Sequence, residues 1–346
     1  MPQITTLRLS HFRNFAEAEF SFSPGINAII GRNGSGKTSI LEAIYFLAYG
    51  KSFRVKELNR MVEEGQKTFT LFAEGENFQI GMQRGGVESI NRMNGETIKT
   101  LSPFAETLPL ILLEPLSFQL LTGGSRHRRQ LMDWGVFYQE PHSHTHYAMV
   151  RKAIKQRNHA LKQRASRQHI RLWETTCLKS CEALSEYRAR YLRSLTKILT
   201  RLLGKAFITQ HALRLVYDQG WPEDKPLPEA WEDSFSQDLR WGYTSQGPHQ
   251  ADLKVFSHKK PAKDVLSRGQ QKLFVSMLKL AQGLLLTEKK QIYPIYLFDD
   301  LASELDVPHC KKIAKALEGS PSQILLTSIH PPKDLFEEAG LITLTH

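Results

Sequence analysis

The chain has 346 residues, 41% hydrophobic and 23% charged, an ordinary globular composition with length for one large domain or two. Its formal net charge of +11 favours a polyanionic partner, either nucleic acid or an acidic membrane face. No apolar run approaches the roughly 20 residues of a spanning helix, and Met1-Pro2-Gln3-Ile4 does not open a secretory signal. The expectation is therefore a soluble, cytoplasmic protein with no membrane partner. Cys177, Cys181 and Cys310 form no CxxC pair and have no His at ligand spacing, which argues against a disulfide framework or a zinc site.

Strand-like runs at Ile4 to Leu9 and Ala18 to Phe22 precede the apolar stretch Asn27-Ala28-Ile29-Ile30. That stretch leads into Gly31-Arg32-Asn33-Gly34-Ser35-Gly36-Lys37-Thr38, and a helical pattern follows from Ser39 through Ala48. This is GxxxxGK[ST] in its required context, a strand before and a helix after. Glycines let the backbone N–H groups turn inward around a phosphate, and the helix N-terminus adds positive potential. Lys37 is expected to reach the β- and γ-phosphates and Thr38 to ligate Mg²⁺. The chain has no [NT]-K-x-D guanine-reading element, so ATP is the expected nucleotide.

Further strands are predicted at Phe69 to Ala73, Phe78 to Met82 and Ser89 to Met93. Asn94-Gly95 is a hairpin signal because both positions tolerate positive φ. The N-terminal region is thus expected to be partly antiparallel. From Ser143 to Lys205 apolar residues recur at helical spacing, with a corner at Ala165-Ser166-Arg167. One helix should end near Arg164, and another should run from Gln168 to Gly204, roughly 55 Å at 1.5 Å per residue. Residues 151–205 hold 15 Lys and Arg against three acids, so this antiparallel helical arm carries +12 and the rest of the chain −1. Its arginines, Arg157, Arg164, Arg167 and Arg171 among them, are candidate DNA-phosphate contacts.

An acidic, Pro-containing connector from Pro222 to Glu229 follows, and an α/β rhythm resumes from Trp241, with strands at Ile295 to Phe298 and Ile324 to Leu326. The fold class is accordingly α/β. The expected layout is residues 1–120 and 241–346 as halves of one nucleotide-binding domain, with a basic helical arm, 121–240, inserted between them.

Leu266-Ser267-Arg268-Gly269-Gln270-Gln271 resembles the signature of ABC ATPases, and more closely its SRGQ form in SMC-like proteins. It is followed by Ile295-Tyr296-Leu297-Phe298-Asp299-Asp300, a buried strand that delivers two carboxylates to its C-terminal end. Ser303-Glu304-Leu305-Asp306 comes next. This order, with Phe12-Arg13-Asn14-Phe15, Pro24-Gly25-Ile26-Asn27, Leu41-Glu42-Ala43-Ile44, Lys51-Ser52-Phe53-Arg54, Arg126 to Asp133, Gln156-Arg157-Asn158 and Gly247-Pro248-His249, resembles the RecF family over nearly the whole length.

The resemblance implies an ABC-type P-loop ATPase head. In it Asp299 holds Mg²⁺ and Asp300 orients or deprotonates the attacking water. Ser267 and Gly269, with Gln270 beside them, meet the γ-phosphate of ATP held by a second copy, and Asp306 lies in the D-loop at the same interface. Arg13 approaches the phosphates, and Arg126, Arg128 and Arg129 serve DNA. Gln250 and Ala251 depart from the Arg and Asp common after Gly-Pro-His in that family, and Leu326-Thr327-Ser328 fills the switch-loop place without the His of transporters. The function implied is an ATP-dependent homodimer that binds double- and single-stranded DNA at gaps or junctions. It would act with RecO and RecR in loading RecA, with slow DNA-stimulated ATP hydrolysis. A transporter ATPase subunit, or an ATP-binding adaptor without turnover, is the alternative.

Overall fold

The computed structural model describes residues 1–86, 88–300, 306–331 and 339–344. Strands β1 (Ile4–Phe12), β2 (Phe15–Ser21) and β3 (Ile26–Ile30) lead into helix α1 (Lys37–Tyr49). Strands β4 (Thr68–Gly75), β5 (Phe78–Gly85), β6 (Ile90–Met93) and β7 (Glu96–Thr97), helix α2 (Ser102–Thr107) and strand β8 (Leu110–Leu113) follow. Helices α3 (Gln119–Thr122), α4 (Ser125–Gln139), α5 (Ser143–Lys162), α6 (Arg167–Leu203) and α7 (Lys205–His211) precede β9 (Leu213–Asp218), α8 (Leu227–Trp241), β10 (Asp252–Ser257), β11 (Lys260–Pro261) and α9 (Ala262–Val265). The last described elements are α10 (Arg268–Lys290), β12 (Ile295–Phe298), α11 (Val307–Leu317), β13 (Ile324–Ser328) and β14 (Gly340–Thr343).

The chain divides into two compact units, Met1–Ser117 with Ser276–His346, and Phe118–Val275. The first unit holds an antiparallel sheet ordered β2-β1-β4-β5-β6-β7 and a parallel sheet ordered β14-β3-β13-β12-β8. The hairpin at Asn94-Gly95 forms with φ of 51° and 86° at its two turn residues and pairs Met93 with Glu96. Strands β8, β12 and β13 are buried along their whole length, which is why β8, β12 and the Ile324-Leu325-Leu326 part of β13 read as apolar runs without alternation. Helix α1 packs Ile40, Ile44, Phe46 and Leu47 into one core with Leu7, Leu71 and Ile80 of the antiparallel sheet and Ile29, Leu297 and Leu325 of the parallel one. Truncating such a side chain to Ala costs about 2–5 kcal/mol through lost burial and the cavity left behind. Gln323 ties the two sheets: its Oε1 accepts from Ile4 N–H at 2.9 Å, and its Nε2 donates to Ile4 C=O at 2.8 Å.

The second unit is built on the antiparallel pair α5 and α6, the latter 37 residues long. Their corner is made by Arg164 in the left-handed region at φ 49° and by Ser166, whose hydroxyl accepts from His169 N–H as the cap of α6. Cys177, Cys181 and Leu184 face Val150, Ala153, Trp221 and Trp231 in its core, so both cysteines serve packing. The hydrogen bond with the neighbouring Cys177 thiol, and then burial, push Cys181 up, and the same bond pulls Cys177 down. Strand β10 pairs antiparallel with both β9 and β11. That pairing holds residues 252–261 to the helical unit, which therefore continues to Val275 and does not end at 240.

Candidate nucleotide site

The loop Gly31–Thr38 leaves the C-terminal end of β3 and closes on the N-terminus of α1. Gly34 and Gly36 have φ of 86° and 98°. A Cβ at Gly36 would stand 2.5 Å from the Phe15 ring, so the loop needs glycine there for conformation and for space. The buried Lys37 ammonium donates to the carbonyls of Gly31 at 2.7 Å and Arg32 at 2.9 Å. A cavity of about 510 Å³ beside the loop is lined by Asn33, Gly34, Lys37, Thr38, Arg13, Arg54 and Asp300. Nucleotide-sized sites are concave and few per protein, and this one gathers the loop and a strand-end carboxylate on one wall.

Two segments distant in sequence converge on Asp299. Thr38 Oγ1 donates to its Oδ1 at 2.8 Å, and Thr327 Oγ1 donates to the same oxygen at 2.9 Å. Parallel pairing of β13 with both β12 and β3 brings those segments into register. Burial pushes the Asp299 carboxyl up from the usual carboxylate range, and the two hydroxyls pull it back down. Asp300 follows at φ 52°, and its N–H donates to Thr327 Oγ1 at 2.8 Å. Thr38 and Asp299 supply the oxygen donors that a hard divalent cation takes. Among the described residues no cluster of three or more His, Cys, Asp or Glu suits a metal. Mg²⁺ would then draw the rest of its shell from phosphate and water, which suits its reluctance to dehydrate.

Sequence reasoning missed two groups here. Glu114 follows β8 directly; burial pushes its carboxyl up to about 7, with Asp299 adding to the rise and Lys279 opposing it. Lys279 is pushed down to about 8 by burial, against the pull of Glu114. The second group is Glu42, fully buried on α1, which takes Arg13 in a bidentate pair at 2.8 and 2.6 Å, Arg54 at 3.5 Å and the Ser52 hydroxyl. Arg13 lines the cavity, and Glu42 and the Arg60 carbonyl fix its guanidinium in place. A buried acid inside an apolar helix pattern was the available signal, since a buried carboxylate needs partners.

Ser267 lies in the second unit and opens α10. Its hydroxyl accepts from Gln270 N–H at 3.3 Å, and Gln270 Oε1 accepts from Ser267 N–H at 2.9 Å, a reciprocal capping box. Ser267, Arg268 and Gly269 are exposed, and nothing lies within 4 Å of a Cβ placed on Gly269. Gln271 anchors the turn from behind by donating to the carbonyls of Lys263 and Leu266. Asp306 caps α11 through His309 N–H at 3.0 Å and pairs with the His309 ring at 2.7 Å. Ser303, Glu304 and Leu305 fall outside the described residues.

The candidate DNA contacts separate sharply. Arg157 is 1% exposed and bonds Glu174 at 2.9 Å, Asp238 at 2.7 Å and the Thr244 hydroxyl at 2.9 Å. It belongs to the core of the second unit and does not present its guanidinium to solvent; two carboxylates and a hydroxyl hold its Nε and Nη1 internally, while the buried Nη2 has no hydrogen-bond partner. Arg128 is held bidentate by Asp252 at 2.7 and 3.1 Å, and Arg129 donates to Ser125 Oγ and Ala251 C=O. Arg167 bridges Glu174 and Glu232 and stacks on Phe235 at 4.3 Å, while Arg171 reaches Glu232 at 3.0 Å. Arg126 and Arg164 alone of the set are exposed without a carboxylate partner among the described residues. At the departure from Gly-Pro-His, Gln250 donates weakly to Thr244 C=O, and the carboxylate of that stretch is Asp252, one residue beyond Ala251.

The model of the RecF/RecN/SMC N-terminal domain matches residues 3–97 and 112–342. The DNA replication and repair protein RecF of Shewanella baltica (strain OS223) is 40% identical over 334 residues, spanning 95% of this chain and 92% of that protein. The protein of the same name from Shewanella sp. (strain MR-7) is 40% identical over 331 residues, 94% of this chain and 91% of its own. The solved recombination mediator protein RecF with ATPrS superimposes with a TM-score of 0.86 at 22% identity, over 99% of this chain and 96% of that one. An Smc head bound to the winged-helix domain of ScpA follows at 0.55 and 19%, over 99% and 94%. These likenesses give the fold as a P-loop ATPase head of the SMC type, with its antiparallel and parallel sheets. The chain belongs to the RecF family.

Proposed function

We propose that this chain binds ATP with Mg²⁺, closes as a homodimer and holds DNA, hydrolysing ATP slowly to reopen. The convergence of Thr38, Asp299 and Thr327 carries the reading, because it joins the phosphate loop, the carboxylate strand and the neighbouring switch strand at one point. Lys37 and the inward N–H groups of the loop bind the phosphates. Thr38 and Asp299 would hold Mg²⁺, which when bound would supply neutralisation of phosphate charge. Asp300, on the wall of the same cavity, orients water for attack and accepts its proton.

Exposure of Ser267 and Gly269 at a helix N-terminus supports a role across a dimer interface, where their N–H and hydroxyl groups meet a partner's γ-phosphate. The exposed cations of α6 and of the corner that precedes it support DNA binding through phosphates. Family membership supports a role in recombinational repair of gaps and stalled forks, with RecO and RecR as partners in RecA loading. The test is sedimentation with phosphate release, with ATP, Mg²⁺ and gapped DNA. A dimer that forms only with ATP and releases phosphate faster with DNA supports the reading. ATP binding without a dimer overturns it, and a dimer without phosphate release favours the adaptor.

A further inference from the structure

The end of the helical unit carries a surface that the clamp reading does not use. Trp241 closes α8, Gly242 turns the chain at φ 72°, and Tyr243 folds its ring back onto the indole, with centroids 5.3 Å apart and planes 17° apart. Both rings are exposed, Trp241 at 47% and Tyr243 at 44%. An aromatic stack of this size has no reason to stay in water for stability, since each ring could bury far more surface in a core. The aliphatic stem of Lys162 lies across Gly242, so close that a Cβ there would stand 3.0 Å from its Cγ and 3.8 Å from its Cε, which puts the stem of this cation against the turn between the two rings.

From Lys162 the face of α5 runs back through Lys155 to Arg151, lining a cavity of about 670 Å³. Arg151, Lys155, Lys162 and the neighbouring Arg240 are exposed and meet no carboxylate among the described residues. Asn158, on the same wall, is fixed by accepting from Thr244 N–H and its hydroxyl, so the helix face and the aromatic turn are one rigid surface.

We propose that this surface binds unpaired single-stranded nucleic acid, with a base stacked on the Trp241–Tyr243 pair and the flanking phosphates on the α5 cations. Aromatic faces accept any base by stacking, and a cationic track beside them is how strands are held without sequence preference. Paired bases offer no such face, because each is already stacked within the duplex. The proposal rests on the DNA-binding reading above and adds which part of a gapped DNA this surface takes. It separates the arm's phosphate contacts, which suit duplex, from a site that needs a free base.

Anisotropy titrations of the full chain, with ATP and Mg²⁺, use labelled oligo(dT) of about 15 nucleotides and a blunt duplex of the same length. Trp241→Ala and Tyr243→Ala are expected to weaken oligo(dT) binding by about five- to a hundredfold and to leave duplex binding within about twofold. Trp241→Phe, which keeps a ring face, is expected to restore most of the loss. If the variants bind oligo(dT) as well as the unaltered chain, or lose both DNAs equally without rescue by Phe, the proposal is overturned and the duplex clamp stands. Binding of duplex but not oligo(dT) by the unaltered chain overturns it likewise. Binding of neither DNA removes the clamp reading and this one with it. A glutamate-rich peptide that loses affinity on Trp241→Ala, while oligo(dT) does not, assigns the surface to a protein partner and also overturns it.

Discussion

Thr38 donates a 2.8 Å hydrogen bond to Asp299 across 261 residues of sequence. Because Thr327 donates to the same oxygen, the carboxylate's orientation is set by two hydroxyls from two different segments. Thr38→Val keeps the volume of the side chain but removes the donor and the metal-ligand oxygen. Nucleotide affinity is expected to lose its dependence on Mg²⁺, which isothermal titration with and without the metal would read. Retained Mg²⁺ dependence would place the metal elsewhere.

Lys37→Met and Asp300→Asn are expected to fail differently. The first removes the ammonium from the phosphate loop and should abolish ATP binding with the fold intact. The second should bind ATP and dimerise but turn over at least about a hundredfold more slowly, the usual scale of a lost general base. Rapid phosphate release by Asp300→Asn would exclude that carboxylate as the base.

Two residues of the arm separate stability from DNA binding. Arg157→Gln strands the buried carboxylate of Asp238 and leaves Glu174 to Arg167 alone, and breaking a buried pair in this way costs about 3–5 kcal/mol. Thermal denaturation should show a lowered melting temperature, whatever happens to DNA binding. Arg164→Gln changes an exposed side chain and should leave melting unaltered.

On duplex DNA a contact of about six phosphates gives a log–log salt slope of roughly −5. Replacing the exposed Arg164, Arg193 and Lys197 with Gln should weaken binding and flatten the slope by about 0.9 for each phosphate no longer neutralised. An unchanged slope would take the duplex off the arm.

Glu114 gives the stability a pH signature. Its carboxyl is raised from 4.5 to about 7 in the folded chain, so between those values the folded state holds a proton that the unfolded chain releases. Stability should therefore fall as pH rises through that window, by up to about 3 kcal/mol for this group. Glu114→Gln should flatten the fall. Chemical denaturation at pH 5 and pH 7.5, for both chains, checks the sign.

The nucleotide loop was legible because its requirements are local: a strand, glycines at positive φ and a helix start all lie within one short stretch. The hairpin at Asn94-Gly95 was legible for the same reason. Arg157 was not, since its partner Asp238 is 81 residues away and a run of positive charge does not say which member turns inward. Glu42 and Glu114 were passed over because their meaning lies in burial and in partners that only the folded sheets bring near. The extension of the second unit to Val275 depends on the pairing of β9 with β10 across the intervening α8, a long-range match that no local run of residues announces.

The central claim is that each hydrolytic site is built by two chains, and Ser267 tests it most directly. Ser267→Arg puts a bulky cation at the exposed start of α10, far in sequence from Lys37, and should leave ATP binding by the single chain intact. It should abolish ATP-driven dimerisation and turnover. Mixing Ser267→Arg with Lys37→Met can form one site with neither defect and one with both. Sedimentation and phosphate release on the mixture should then recover some dimer and at most about half of the activity, less if closure needs two nucleotides. Normal dimerisation and hydrolysis by Ser267→Arg alone would contradict the two-chain site.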